Sequence, residues 1–121
     1  MDYIFDNERP IYVQLVEKVR IEIISGKLKT GERIPSVREL AITARVNPNT
    51  MQKALAELEK EGVVNTERTN GKFVTDNKQL IEKIKKELAE EKVNNYLKDM
   101  ENIGINKREA IEYLQELGGN K

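Results

Sequence analysis

Neither cysteine nor histidine occurs in the 121 residues of the chain. That double absence excludes disulfides, thiolate nucleophiles, zinc sites of the usual ligand set and imidazole acid–base chemistry together. No Gly-rich phosphate loop or metal-ligand cluster replaces them, so no catalytic residue, metal or cofactor is assigned. Glu87, Glu90 and Glu91 stand close in sequence, but on what reads as a solvated helix face. Aromatic residues amount to 5%, too few for the core of a sandwich or barrel. No apolar run reaches membrane-spanning length, and the N-terminus has no basic stretch followed by an apolar one. The expected location is the cytoplasm, with no membrane partner. Net charge is also lacking, since Lys and Arg balance Asp and Glu at 21 each. Any attraction to a polyanion must therefore come from the distribution of charge.

Charged residues make up 35% and hydrophobic residues 38% of the chain, a balance that favours helices with one modest core and an oligomerisation element. Two helix-start signals follow one another closely. Ser36 can cap a helix whose third position is Glu39, a reciprocal capping box. Asn47 can cap a second helix that opens with Pro48, whose missing N–H costs nothing in a first turn. The spacing predicts helices over about 37–44 and 48–60, joined by a turn short enough to force a steep crossing. This is the helix-turn-helix arrangement, in which the second helix presents its N-terminal residues to base edges. Val37, Leu40 and Ala41 form the inner face of the first, and Met51, Ala54, Leu55 and Leu58 that of the second. Residues 27–56 carry Lys27, Lys29, Arg33, Arg38, Arg45 and Lys53 against Glu32 and Glu39, a net +4. The acids Glu57, Glu59 and Glu61 sit at the far end of the second helix.

A helix over 10–25 precedes this pair, with Ile11, Leu15, Val19 and Ile23 at four-residue intervals and Gly26 as its stop. Two strands follow the pair, 63–66 and 72–75, with Asn70-Gly71 as a tight-turn signal. Such a hairpin after a helix-turn-helix is a wing. Arg68 and Lys72 flank its tip, where a cation can reach phosphates or the minor groove. From Asp76 the composition becomes that of a long helix, with Leu80, Ile81, Ile84 and Leu88 as one apolar stripe. Val93, Tyr96, Leu97, Met100 and Ile103 form another. Asn106 and Glu109 predict a second capping box, opening a short helix lined by Ile111, Leu114 and Leu117 and ended by Gly118-Gly119. A helix of about 24 residues spans roughly 36 Å, longer than the domain it leaves, and needs a partner. Dimerisation is assigned to Leu80, Ile81, Ile84, Leu88, Val93, Tyr96, Leu97, Met100, Ile111 and Leu114. Met51, Tyr12, Tyr96 and Tyr113 are expected in packing rather than in ligand or base stacking.

These segments together resemble the GntR-type winged-helix transcription regulators, and within them the small YtrA-like subfamily. The resemblance runs from Pro10-Ile11-Tyr12-Val13-Gln14-Leu15 through Gly31-Glu32-Arg33-Ile34-Pro35-Ser36-Val37-Arg38-Glu39-Leu40-Ala41. It continues over Val46-Asn47-Pro48-Asn49-Thr50-Met51 to Gly71-Lys72-Phe73-Val74. It implies a mainly α fold with a small β-hairpin: a winged helix-turn-helix over 1–75 and a two-helix dimerisation domain over 76–121. It also implies a homodimeric repressor that binds a double-stranded operator built as an inverted repeat, with transporter operons as targets. DNA contacts are then expected from Ser36, Arg38, Arg45, Asn47, Asn49, Thr50, Gln52, Lys53, Arg68, Gly71 and Lys72. Arg38 matches the family arginine that meets phosphate or a guanine edge. Asn49 and Gln52 can bind adenine through N6 and N7. Arg45 occupies a turn position where the wider family often has Gly, so its backbone is expected at positive φ. Asn47 is expected to cap its helix rather than read a base. A small-molecule effector is left open, and the alternative reading is a winged-helix module that binds protein and not DNA.

Overall fold

The computed structural model describes residues 3–68 and 70–119; the outer ends of both expected domains fall outside these ranges. The elements are α1 (Ile11–Ile24), α2 (Val37–Ala44), α3 (Pro48–Lys60), β1 (Val64–Glu67), β2 (Gly71–Val74), α4 (Lys78–Asn102) and α5 (Lys107–Leu117). They form a first compact unit, Met1–Ile84, and a second, Lys85–Lys121, with α4 beginning in the first. The fold is thus mainly helical with one antiparallel hairpin, as the sequence pattern implies. Among the described residues no helix is long and apolar enough to cross a membrane.

The first unit is organised around α3, against which α1, α2 and β1 all pack. Its face of Met51, Ala54, Leu55 and Leu58 is fully buried, together with Leu15 and Val19 of α1. Leu40, Ala41 and Ala44 of α2 and Val63, Val64 and Val74 of the hairpin region close the core. Each large aliphatic side chain withdrawn from water contributes about 1.5–3 kcal/mol, which holds α2 against α3. The 31–34 segment runs along the outer edge of β2, with Ile34 N–H donating to Lys72 O at 2.8 Å and Val74 N–H to Glu32 O at 2.9 Å. Strand-like alternation there sends Ile34 inward and Arg33 outward.

Both strands lie one residue away from the sequence expectation. Val63 N–H is used by Leu58 O at 3.1 Å and Gly62 N–H by Glu59 O at 3.0 Å, so Val63 completes the helix end before β1 begins. That pair of bonds is a Schellman closure. The register pairs Val64 with Val74 and Glu67 with Gly71. Gly71 is therefore not part of the turn but, at φ +91°, opens β2.

Within the first unit an N-terminal arm is held by Gln14, which is 1% exposed. Its amide donates to Asp6 O and Arg9 O and accepts from Asp6 N–H at 2.9 Å. In the second unit Asn106 caps α5 and Glu109 returns the bond, completing the capping box. Tyr96 Oη donates to Ala110 O at 2.6 Å, and Ala110 is fully buried. Tyr96, Leu97 and Met100 are half-buried, whereas Val93, Ile103, Ile111, Tyr113, Leu114 and Leu117 are exposed.

Candidate nucleic-acid interface

Helix capping sets the orientation of the two helices that carry the expected contacts. Ser36 Oγ accepts from Glu39 N–H at 3.1 Å, and Glu39 Oε1 accepts from Ser36 N–H at 3.4 Å. Asn47 Oδ1 accepts from Asn49 N–H at 2.7 Å. The Asn47 oxygen is engaged by the backbone, in keeping with its expected role as a cap. Between the helices Arg45 takes φ 59° and ψ 46°, a left-handed conformation and the single positive-φ non-Gly residue recorded among those described. Its N–H donates to Ile42 O and the next, Val46 N–H, to Ala41 O at 3.0 Å. This is the closure that Gly62 makes for α3, with an arginine where glycine would fit without strain.

On α3 the three-and-four residue spacing of Asn49, Gln52 and Lys53 puts them on one exposed face, opposite the buried Met51 and Leu55. Thr50 is half-buried. Thr50 and Lys53 line a groove with Tyr12, Ala56, Glu57 and Lys60. Tyr12, expected in packing, is thus partly exposed beside the recognition helix. On α2, Arg38 stands in the exposed first turn. A second groove, of about 340 Å³, lies between the start of α2 and the wing and brings together Arg33, Ser36, Arg68, Gly71 and Lys72. Arg38, Arg45, Asn49 and Gln52 line neither groove.

Arginine pairing divides the first unit. Arg9 makes a forked bond to Glu17 at 2.9 Å, and Arg20 bonds Glu61 through Nε at 3.0 Å. Hydrogen bonding to Glu61 raises the Arg20 pKa further, with burial opposing it. Among the described residues Arg33, Arg38, Arg45 and Arg68 make no such ion pair. The guanidinium groups of α2, its turn and the wing are therefore uncompensated, and a polyanion meeting them would break no arginine–carboxylate pair. Lys72 departs from the expectation of a free cation at the wing tip. Its Nζ donates to Thr66 Oγ1 at 2.9 Å and stands 3.9 Å from Glu59, with the side chain 16% exposed. The pairing of Thr66 with Lys72 across the hairpin places the two side chains side by side.

The model of the gntR family of bacterial regulatory proteins matches residues 11–74, the span of the helix-turn-helix and wing just described. The chain belongs to the GntR family. It is 35% identical over 95% of its length to the uncharacterized HTH-type transcriptional regulator YhcF of Bacillus subtilis, covering 95% of that protein. To the HTH-type transcriptional repressor YtrA of the same organism it is 32% identical over 92% of its length, covering 86% of YtrA. A GntR family transcriptional regulator from Listeria monocytogenes superposes with a TM-score of 0.87 at 38% identity, over 93% of this chain and 99% of that one. The DNA-binding domain of AraR, solved with operator ORX1, matches 60% of this chain and 93% of that one with a TM-score of 0.55 at 27% identity. GntR proteins are transcription regulators, not enzymes, and this member carries their winged DNA-binding fold.

Arg33 was legible in the sequence only as one charge among several. Its place beside the wing depends on pairing with residues far along the chain. Gln14 gave no functional signal within its motif, because its partners Asp6 and Arg9 lie in a stretch without periodicity.

Proposed function

We propose that this GntR-family regulator is a cytoplasmic homodimeric repressor whose residues 1–75 bind an inverted-repeat operator and whose residues 76–121 join the two copies. The observation that carries the reading is the set of uncompensated arginines on α2, its turn and the wing, beside the exposed Asn49, Gln52 and Lys53 of α3. Asn49 and Gln52 read base edges, adenine above all, and Arg38 contacts both phosphate and guanine. Arg45, Lys53 and Arg68 meet phosphate, with Ser36 and Gly71 close to the backbone of the duplex. The name of YtrA as a repressor and the operator bound by AraR support the same direction. An operon of transporter genes is the proposed target, and any small-molecule effector would act by changing operator affinity.

Dimerisation is supported by the exposed Val93, Ile111, Tyr113 and Leu114 of the second unit. Leu88, Tyr96, Leu97 and Met100 of the same unit are half-buried in the single chain, as are Leu80 and Ile84 at the start of α4 in the first unit. Ile81 is 6% exposed and belongs to the packed core rather than to a free face. Two recognition helices in such a dimer stand about 34 Å apart, one turn of duplex, or a multiple of it. Selection of bound fragments from genomic DNA, followed by footprinting, is expected to return an inverted repeat and the genes beside it. Sedimentation of the full chain is expected to show twice its 13.9 kDa mass. A monomer at micromolar concentration, or protection of one asymmetric half-site, overturns the reading.

A further inference from the structure

The groove between the wing and the start of α2 contains an arginine that neither the family motif nor the pattern of charges singles out as a contact. Arg33 sits on the 31–34 segment, which is bonded to β2 through Ile34 N–H and bridged to Phe73. The alternation that buries Ile34 turns Arg33 outward across the wing. Its guanidinium lies against the bare backbone of Gly71: a Cβ built there would stand 3.4 Å from Nη2 and 3.5 Å from Nε. Arg68 lines the same groove, and neither arginine has a carboxylate at ion-pair distance among the described residues. The acid in this groove, Glu67, accepts from Asn70 Nδ2 at 3.3 Å, and Lys72 is held by Thr66 and Glu59. Two planar donor forks are thus left facing a concave surface that is continuous with Ser36 at the proposed interface. Such forks match the oxygens of a phosphodiester.

We propose that Arg33 is a DNA-contacting residue that binds a backbone phosphate of its own, beside the one met by Arg68, in the groove between wing and α2. The inference rests on the DNA-binding reading above and adds a residue to it. Because the 31–34 segment is tied to β2 by backbone bonds, Arg33 and the wing carry these contacts as one piece. A phosphate contact acts on every sequence alike and appears in the salt dependence.

The test is titration of the full-length protein with a mixed-sequence duplex at several salt concentrations. Arg33→Gln is expected to reduce the slope of log affinity against log salt by about 0.9, the amount for one lost phosphate. Arg33→Met, which retains the aliphatic stem over Gly71, should reduce it equally, and Arg33→Lys should retain it. Lys98→Gln, at an exposed position of α4 in the second unit, is expected to leave the slope unchanged. A wild-type slope in Arg33→Gln and Arg33→Met overturns the assignment. So does an equal reduction in Lys98→Gln, which would mean a general field effect. If the wild-type protein itself shows no salt-dependent duplex binding, the DNA-binding reading fails instead.

Discussion

Arg45→Gly is expected to make the protein more stable while weakening its hold on DNA. Arg45 ends α2 at φ 59°, a left-handed conformation that costs a residue with a Cβ roughly 1–2 kcal/mol. Glycine removes that cost but adds about 0.4–1 kcal/mol of unfolded-state entropy to be lost on folding. The exposed Arg45 side chain has no ion-pair partner among the described residues, so its removal sacrifices no such contact in the folded chain. The net expectation is a gain of about 0.5–1 kcal/mol, read as a higher urea midpoint at unchanged slope. Arg45→Ala isolates the cause, since it removes the same side chain but retains the Cβ. Glycine should exceed alanine by about 1 kcal/mol, compared at one protein concentration because association also raises apparent stability. Both variants should bind duplex DNA more weakly than the wild type. Equal midpoints for Gly and Ala would refute the strain argument, and a glycine variant below both wild type and alanine would reverse its sign.

Among the described residues the Tyr3 hydroxyl is buried without a hydrogen-bond partner, and burial, followed by the charge of Glu22, raises its pKa above 10.0. Its contribution is complete below pH 10.0 and is lost as pH rises through the folded value. Tyr3→Phe should therefore match or exceed the wild type at neutral pH in thermal unfolding and lose less stability in alkali; a loss above about 1 kcal/mol at neutral pH would disprove the missing partner. Gln14→Leu should cost about 1–3 kcal/mol and speed hydrogen exchange at the Asp6 amide, since Asp6 N–H, Asp6 O and Arg9 O lose their partner. An unchanged exchange rate would show that the arm is held by other contacts.

What the sequence by itself determined is what depends on neighbours within a few positions. The starts of α2, α3 and α5 were legible because Ser36, Asn47 and Asn106 each cap a helix through a bond two or three residues away. Their inner faces were legible because helical periodicity shows which side chains share a side. The positive φ of Arg45 was expected from the family resemblance, since the wider family often has Gly at that turn position. Tertiary structure decided the rest. Gly71 moved out of the wing turn and into β2 because the Glu67–Gly71 pairing sets the register, and a two-residue motif does not disclose which residues pair. Lys72 was drawn to Thr66 across the hairpin and toward Glu59 at the end of α3, and Arg33 came to rest on Gly71, through contacts between residues distant in the chain. Charge can be counted along a sequence, but whether an arginine is spent on an internal carboxylate, as Arg20 is on Glu61, depends on which helices pack together.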